Sequence, residues 1–334
     1  MSDVVIFAPA PVLEITVEAH EDDGDVHIHP GGQGVWQARM LLTLGREVQL
    51  CAVLSGETGR VLGHLLREEG IGLVEVTREA RGGVFVHDRR NGERTAVIES
   101  GGDPLDRHDL DELYGLTLRT GLDARLVILS GPHGEGIVPP DFYRRLASDL
   151  RTGGVPVIVD LAGERLAAAL EGGVAVVKIS DEELLADGRI AANEVEAIIG
   201  AMRELHTAGA EVVVVTRAEK PSLVLQDGAV HEVVAPQFDV VDSSGAGDSF
   251  VGAFAAVLAE GGSISDAARL GAAAGAQNVT RHGLGTGDAA TIERLCELVE
   301  IRALGDAAAA DPQGDPIEEV TPSELADRVE EARE

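Results

Sequence analysis

Short, unbroken apolar runs separated by helical stretches dominate the middle of this chain. Leu126-Val127-Ile128-Leu129, Val155-Pro156-Val157-Ile158-Val159 and Val212-Val213-Val214-Val215 present no polar face. A strand apolar on both sides must be covered on both sides, as an inner strand of a parallel sheet is. The stretch 141–151 has helical spacing between two of these runs, and the links are short. The pattern predicts an α/β fold, a doubly wound, mostly parallel sheet flanked by helices. Val4-Val5-Ile6-Phe7, halted by Pro9 and Pro11, reads as the first strand. Val48–Leu54 reads as another, with a helix over 57–69 ended by Gly70.

A second strand group has a different pattern. Asp25–His29 alternates, and Gly83–His87 and Thr95–Ile98 flank Asn91-Gly92, a hairpin signal. His27 and His29 share a face, but no third ligand stands at metal spacing, so they read as paired surface histidines.

The chemistry concentrates at Asp242-Ser243-Ser244-Gly245-Ala246-Gly247-Asp248-Ser249-Phe250, between a β-rich run (233–241) and a helical pattern (251–258). Gly245-Ala246-Gly247 therefore falls where a loop becomes a helix N-terminus. There the first N–H groups lack partners and the dipole favours an anion. Asp248 in that first turn is placed to take a proton from a hydroxyl beside a bound phosphate. The plainer alternative is a first-turn acid after turn glycines. D-x-x-G-A-G-D-x-F resembles the C-terminal signature of the ribokinase-like carbohydrate kinases, also called the phosphofructokinase-B family. The resemblance implies Asp248 as catalytic base and Gly245, Ala246 and Gly247 as the anion hole.

Other segments resemble the same family in order from about residue 4 to 301. Gly31-Gly32-Gln33-Gly34-Val35-Trp36-Gln37-Ala38, opening a helix that Gly45 closes, is similar to the N-terminal signature of its phosphofructokinase branch, G-G-K-G-x-N-x-A. Gln33 stands for the lysine that binds a sugar phosphate, and Trp36 for an asparagine; Trp36 either joins the core or walls the sugar pocket. Glu14 stands for an aspartate that contacts sugar hydroxyls, with a solvated loop acid as the alternative. Arg81 keeps the position of a phosphate-binding arginine, without its usual neighbours. Ser130-Gly131-Pro132-His133 resembles S-G-S-L, and Asp160 ends its strand where the family also carries an Asp.

Lys178-Ile179-Ser180-Asp181-Glu182-Glu183-Leu184 resembles K-P-N-x-x-E-L. The resemblance implies that Lys178 and Ser180 approach ATP phosphates and that Glu183 organises Mg²⁺. Ser180 and Glu183 also form a sequence capping box. Lys178 and Lys220 are the only lysines, so a lysine ending an apolar strand needs a reason. Thr216 and Arg217 open the expected nucleotide loop, but its usual glycines are gone and Pro221 stiffens it. Segments 10–30 and 80–100 are expected to form the family's β lid, through which a homodimer would assemble.

The chain has 334 residues, with 58 Asp+Glu against 27 Lys+Arg, a net charge of −31. No basic cluster suits nucleic acid or an anionic membrane, and no apolar run approaches a membrane span. Cys51 and Cys296 are too few for a disulfide framework, which points to a reducing cytoplasm. Helices are expected at 266–280 and 288–301; the resemblance implies that the turn 281–285 between them lies near the nucleotide. Residues 1–302 are expected to form the kinase domain and 303–334 an acidic, disordered tail. The function expected is ATP-dependent phosphoryl transfer to a hydroxyl of a hexose or hexose phosphate. A nucleoside kinase, or a catalytically weak sugar- or nucleotide-binding regulator, would use the same fold.

Overall fold

A computed structural model of the protein describes residues 2–20, 23–92, 94–134, 136–280 and 285–304. In chain order these form β1 (Val4–Phe7), β2 (Val12–His20), β3 (Asp23–Gly31), α1 (Gln33–Thr43), β4 (Val48–Ser55), α2 (Gly56–Glu68), β5 (Gly72–Arg78), β6 (Gly83–Asp88) and β7 (Thr95–Ser100). Next come α3 (Arg107–Leu122), β8 (Leu126–Ser130), α4 (Pro140–Thr152), β9 (Val157–Asp160), α5 (Gly163–Gly172), β10 (Val174–Ser180), α6 (Asp181–Ala186) and α7 (Val195–Ala208). The chain continues through β11 (Ala210–Arg217), β12 (Lys220–Gln226), β13 (Ala229–Val234), α8 (Ala246–Ala259), α9 (Ile264–Asn278), α10 (Ala289–Cys296) and β14 (Glu300–Ala303).

The apolar runs do become inner strands. One sheet has the order β14-β13-β12-β11-β10-β9-β8-β1-β4-β5. From β5 through β11 all neighbours are parallel, and the last three pairings are antiparallel. Leu113, Phe142, Leu166 and Met202, from α3, α4, α5 and α7, pack on one face. Met40, Phe254, Ala273 and Ile292, from α1, α8, α9 and α10, pack on the other. Such double coverage is what strands without a polar face require. Where α1 crosses α8, a Cβ on Gly252 would lie 2.7 Å from the Gln37 carbonyl oxygen, so glycine permits this close approach.

A second sheet, β3-β2-β6-β7, gathers the strands of the two segments expected to form a lid; β6 and β7 form the hairpin around Asn91-Gly92. Its β2–β6 pair is parallel and the other two are antiparallel.

One open alternative closes and three expectations change. Glu14 is no solvated loop acid, because Val12–His20 is a strand and Glu14 is buried within it. The β-rich run over 233–241 ends as a strand at Val234; beyond it, Val241 N–H donates to Val279 O. The expected loop over Thr216–Ser222 is mostly strand: β11 runs to Arg217, β12 starts at Lys220, and only Ala218-Glu219 turns, with Ala218 at φ 43°. Pro221 falls where the register shifts and no ladder N–H is required. Helix α10 stops at Cys296, and Glu300–Ala303 pairs with the open edge of β13 instead of continuing the helix to Ile301. Leu304 N–H donates to Val230 O, so this pairing extends past the expected boundary at 302. Most of the turn 281–285 and of the tail 303–334 lies outside the described residues.

Candidate active site

Parallel pairing places Ser130 of β8 beside Asp160 of β9, and Asp160 beside Lys178 of β10. These residues lie at or near the carboxyl ends of their strands, where open α/β sheets bind ligands. Ser180, two residues beyond Lys178 and so on the same side of β10, is paired with Thr216 of β11. One row across four strands thus carries a hydroxyl, a carboxylate, an ammonium and two more hydroxyls.

Helix α8 ends on this row. Gly245 precedes it at φ 78°, a left-handed conformation that glycine adopts without strain. Among the described residues, no acceptor takes the N–H groups of Gly247 and Asp248, the unpaired donors of a helix start. A Cβ on Gly247 would stand 2.7 Å from Lys178 Nζ, so the ammonium lies against the Gly-Ala-Gly backbone. Lys178 Nζ donates to Asp160 Oδ1 at 3.1 Å. Asp248 is buried in the first turn of α8, and Gln37 Nε2 donates to its Oδ1 at 3.4 Å. Asn278 of α9 braces the loop from behind: its Nδ2 donates to Ser244 O at 2.8 Å and its Oδ1 accepts from Ser249 Oγ at 3.1 Å.

Burial sets the electrostatics. It pushes the Asp248 carboxyl well above the usual carboxylate range; the Asp160 charge pushes the same way and Lys178 opposes. Asp160 is likewise raised by burial, against the pull of Lys178. Burial alone would lower Lys178, but the surrounding carboxylates Asp160, Glu183 and Asp248 outweigh it and hold the ammonium charged.

Ser180 and Glu183 form the capping box of α6. Glu183 Oε2 accepts from Ser180 N–H at 2.8 Å and from its Oγ at 2.9 Å, while Ser180 Oγ accepts from Glu183 N–H at 3.1 Å. Among the described residues, Glu183 Oε1 takes no hydrogen bond, and no cluster of three His, Cys, Asp or Glu could cage a metal. This fits Mg²⁺, which binds through one or two carboxylates together with phosphate oxygens and water.

A cavity of about 180 Å³ opens beside the row. Gln33, Trp36 and Gly32 line it from the start of α1, Phe85 from the lid, and Pro132 and His133 from the loop after β8. Trp36 is thus a cavity wall. Gln33 Oε1 accepts from Gly131 N–H at 2.9 Å, tying α1 to that loop. On the lid, Glu14 lies against Gly31, where an added Cβ would sit 2.5 Å from Glu14 Cγ. Burial raises the Glu14 carboxyl, while Arg94, 3.5 Å away, pulls it down.

Two expected residues do not join the site. Arg81 is largely solvent-exposed, its guanidinium held by Asp103 at 2.7 Å, and it does not line the cavity. Arg217 is buried and donates to Pro221 O at 3.3 Å, folded back on its own hairpin. Conversely, Gln37 went unremarked in the sequence. Its signal was a polar residue three after Gly34 and four before Leu41, within the buried stripe of α1.

The pfkB family carbohydrate kinase model matches residues 2–291. The chain is 29% identical over 275 residues to the ATP-dependent 6-phosphofructokinase isozyme 2 of Mycobacterium tuberculosis, covering 80% of this chain and 79% of that protein. It is 30% identical over 285 residues to the 1-phosphofructokinase of Haloferax volcanii, covering 80% and 88%. Phosphofructokinase-2 from Escherichia coli, solved in complex with potassium, superposes with a TM-score of 0.78 at 27% identity, over 89% of this chain and 99% of that one. The sequence match and the shared architecture agree along nearly the whole described length, so the chain belongs to the pfkB family of carbohydrate kinases, ATP-dependent phosphotransferases that use Mg²⁺.

Proposed function

We propose that the protein transfers the γ-phosphate of ATP to a hydroxyl of a hexose or hexose phosphate, with Asp248 as general base. The observation that carries this reading is the position of Asp248, buried in the first turn of α8 beside open N–H groups and the Lys178 ammonium. A carboxylate whose proton affinity is raised by burial accepts a hydroxyl proton more readily than an ordinary one. In this reading Asp248 takes the proton as the acceptor oxygen attacks the γ-phosphorus and ADP leaves. The Gly245-Ala246-Gly247 backbone and Lys178 stabilise the charge on the transferred group. Ser180 and Thr216 face the nucleotide phosphates, and the open oxygen of Glu183 is the protein ligand for Mg²⁺. That ion screens the phosphate charge when bound. The acceptor occupies the cavity lined by Gly32 and Gln33, with Gly31 and Glu14, packed together beside it, toward a sugar hydroxyl.

The relatives are named for phosphorylated sugars, yet no Lys, Arg, Asp or Glu lines this cavity among the described residues. Its aromatic walls, Trp36, Phe85 and His133, support nucleosides as a second acceptor class. ATP consumption measured across free hexoses, hexose phosphates, pentoses and nucleosides tests both. Turnover on none of them would sink the kinase reading.

The lid carries exposed apolar side chains on both outer strands, Val26 and Ile28 on β3 and Val97 and Ile98 on β7. A second copy covering them would make a homodimer, which we include in the proposal; light scattering of the purified protein reads it directly. Among the described residues no helix is long and apolar enough to cross a membrane, and Cys51 and Cys296 are unpaired. The free thiols suit a reducing compartment such as the cytoplasm, and the small cavity suits a small-molecule acceptor.

A further inference from the structure

Gln37 is fully buried, yet it is polar and ties four separate elements together. From α1 its Oε1 accepts a hydrogen bond from Ser130 Oγ of β8 at 2.6 Å. Its Nε2 donates to Asp160 Oδ2 of β9 at 3.0 Å and to Asp248 Oδ1 of α8 at 3.4 Å. A side-chain amide has one accepting oxygen and one nitrogen with two hydrogens. Here the serine donor claims the oxygen and the two carboxylates claim the two hydrogens. Flipping the amide would set its oxygen against both carboxylates, so Ser130 fixes the orientation in which Asp248 receives a donor.

We propose that Gln37 is a positioning residue for Asp248, holding that carboxylate in its ionised, proton-accepting form while keeping it apart from Asp160. The proposal rests on the reading of Asp248 as general base. Three charged groups face Asp248: Asp160 from β9, Lys178 from β10 and Glu183 from α6. Lys178 is already bonded to Asp160, and Asn278 of α9 bonds Ser249 and Ser244 instead of Asp248. Among the described residues, Gln37 is therefore the side chain that donates a hydrogen bond to the base. Such a donor favours the ionised carboxylate, whereas burial and the Asp160 charge favour the protonated one. Without Gln37, Asp248 would face the Asp160 carboxylate with no side-chain donor of its own, Lys178 being bonded to Asp160, and would hold a proton to higher pH.

The test is the pH profile of turnover for Gln37→Met, which keeps length and volume but cannot donate, and for Ser130→Ala, which frees the amide. ATP serves as donor, with whichever of fructose, fructose 6-phosphate, fructose 1-phosphate and ribose the wild type uses fastest as acceptor. For Gln37→Met, kcat should fall about 10-fold near pH 6.5 and recover to within about 2- to 3-fold of wild type near pH 9, the acidic limb having moved up. KM for ATP should stay within about 2-fold. Ser130→Ala should move the limb in the same direction by less. An equal loss at every pH marks a structural role and overturns the proposal, as does an unchanged profile. Asp248→Asn is measured alongside: if it keeps wild-type turnover, the base reading itself has failed. If it is inactive while Gln37→Met keeps the wild-type profile, only the role of Gln37 has. Should Gln37→Met not fold, the profile of Ser130→Ala decides by the same criterion.

Discussion

Lys178 Nζ lies 3.1 Å from Asp160 Oδ1 on the neighbouring strand, and both side chains are buried. Removing one member of such a pair leaves an uncompensated charge, which costs about 3–5 kcal/mol. Lys178→Met should therefore lower stability by about that amount and abolish turnover. The double variant Lys178→Met/Asp160→Leu should regain most of the stability and none of the activity. Thermal melts with parallel assays check this. Recovery of activity in the double variant would show that Lys178 serves only to neutralise Asp160.

Asp248→Asn keeps the size of the side chain but cannot accept a proton, so turnover should fall by about 10² to 10⁴ if general-base catalysis is its role. Stability should move the other way. Because the folded protein holds the Asp248 proton more tightly than an unfolded chain, ionising it costs stability as pH rises above about 4. The variant should melt at or above the wild-type temperature at pH 8, with the difference shrinking below about pH 4. A lower melting temperature at pH 8 would show instead that the charged carboxylate stabilises the fold.

Gln33, at the position where the sequence resemblance implies a phosphate-binding lysine, accepts from Gly131 N–H, and Arg81 is engaged by Asp103. A charged contact in a closed site is worth about 1.5–3 kcal/mol, or roughly 10- to 100-fold in affinity. The preferred acceptor should accordingly be unphosphorylated, or hold its phosphate elsewhere. Gln33→Lys should raise kcat/KM on fructose 6-phosphate or fructose 1-phosphate relative to fructose, at some cost to stability from the lost Gly131 bond. A wild-type preference for the phosphates, unaltered by Gln33→Lys, would refute the inference.

β14 pairs residues 300–303 with β13, and Leu304 N–H reaches Val230 O. A chain ending after Leu304 should melt like the full chain, whereas one ending at Arg302 should melt lower. Equal melting of all three would mean that this edge strand adds nothing to stability.

What the sequence revealed followed from periodicity. Inner strands such as Leu126–Ser130 carry no polar face, and the Gly-Ala-Gly-Asp stretch sits at a strand-to-helix junction, so the parallel sheet and its anion-binding corner were legible. Short edge elements were not. Residues 298–302 suit a helix or a strand equally by composition, and only the open edge of β13 decides. Pro221 read as a loop residue because a register shift cannot be seen in one sequence. For Glu14 the sequence left a solvated loop acid open as an alternative, because its burial depends on Gly31, across a hairpin. Gln37 was hidden for the same reason: its partners are 93, 123 and 211 residues away.

The row Ser130–Asp160–Lys178 owes its alignment to backbone pairing between three adjacent strands, not to the shape of any loop. Side chains alternate along a strand, so phase alone specifies this part of the site. The loops beyond the strand ends can then change freely, as at Pro132 after β8 and at the Ala218-Glu219 turn after β11. For protein engineering the row is a cassette: residues 126–180 carry all three groups with their phase. Acceptor or donor preference is then altered by exchanging the loops at its rim, without touching the strands beneath.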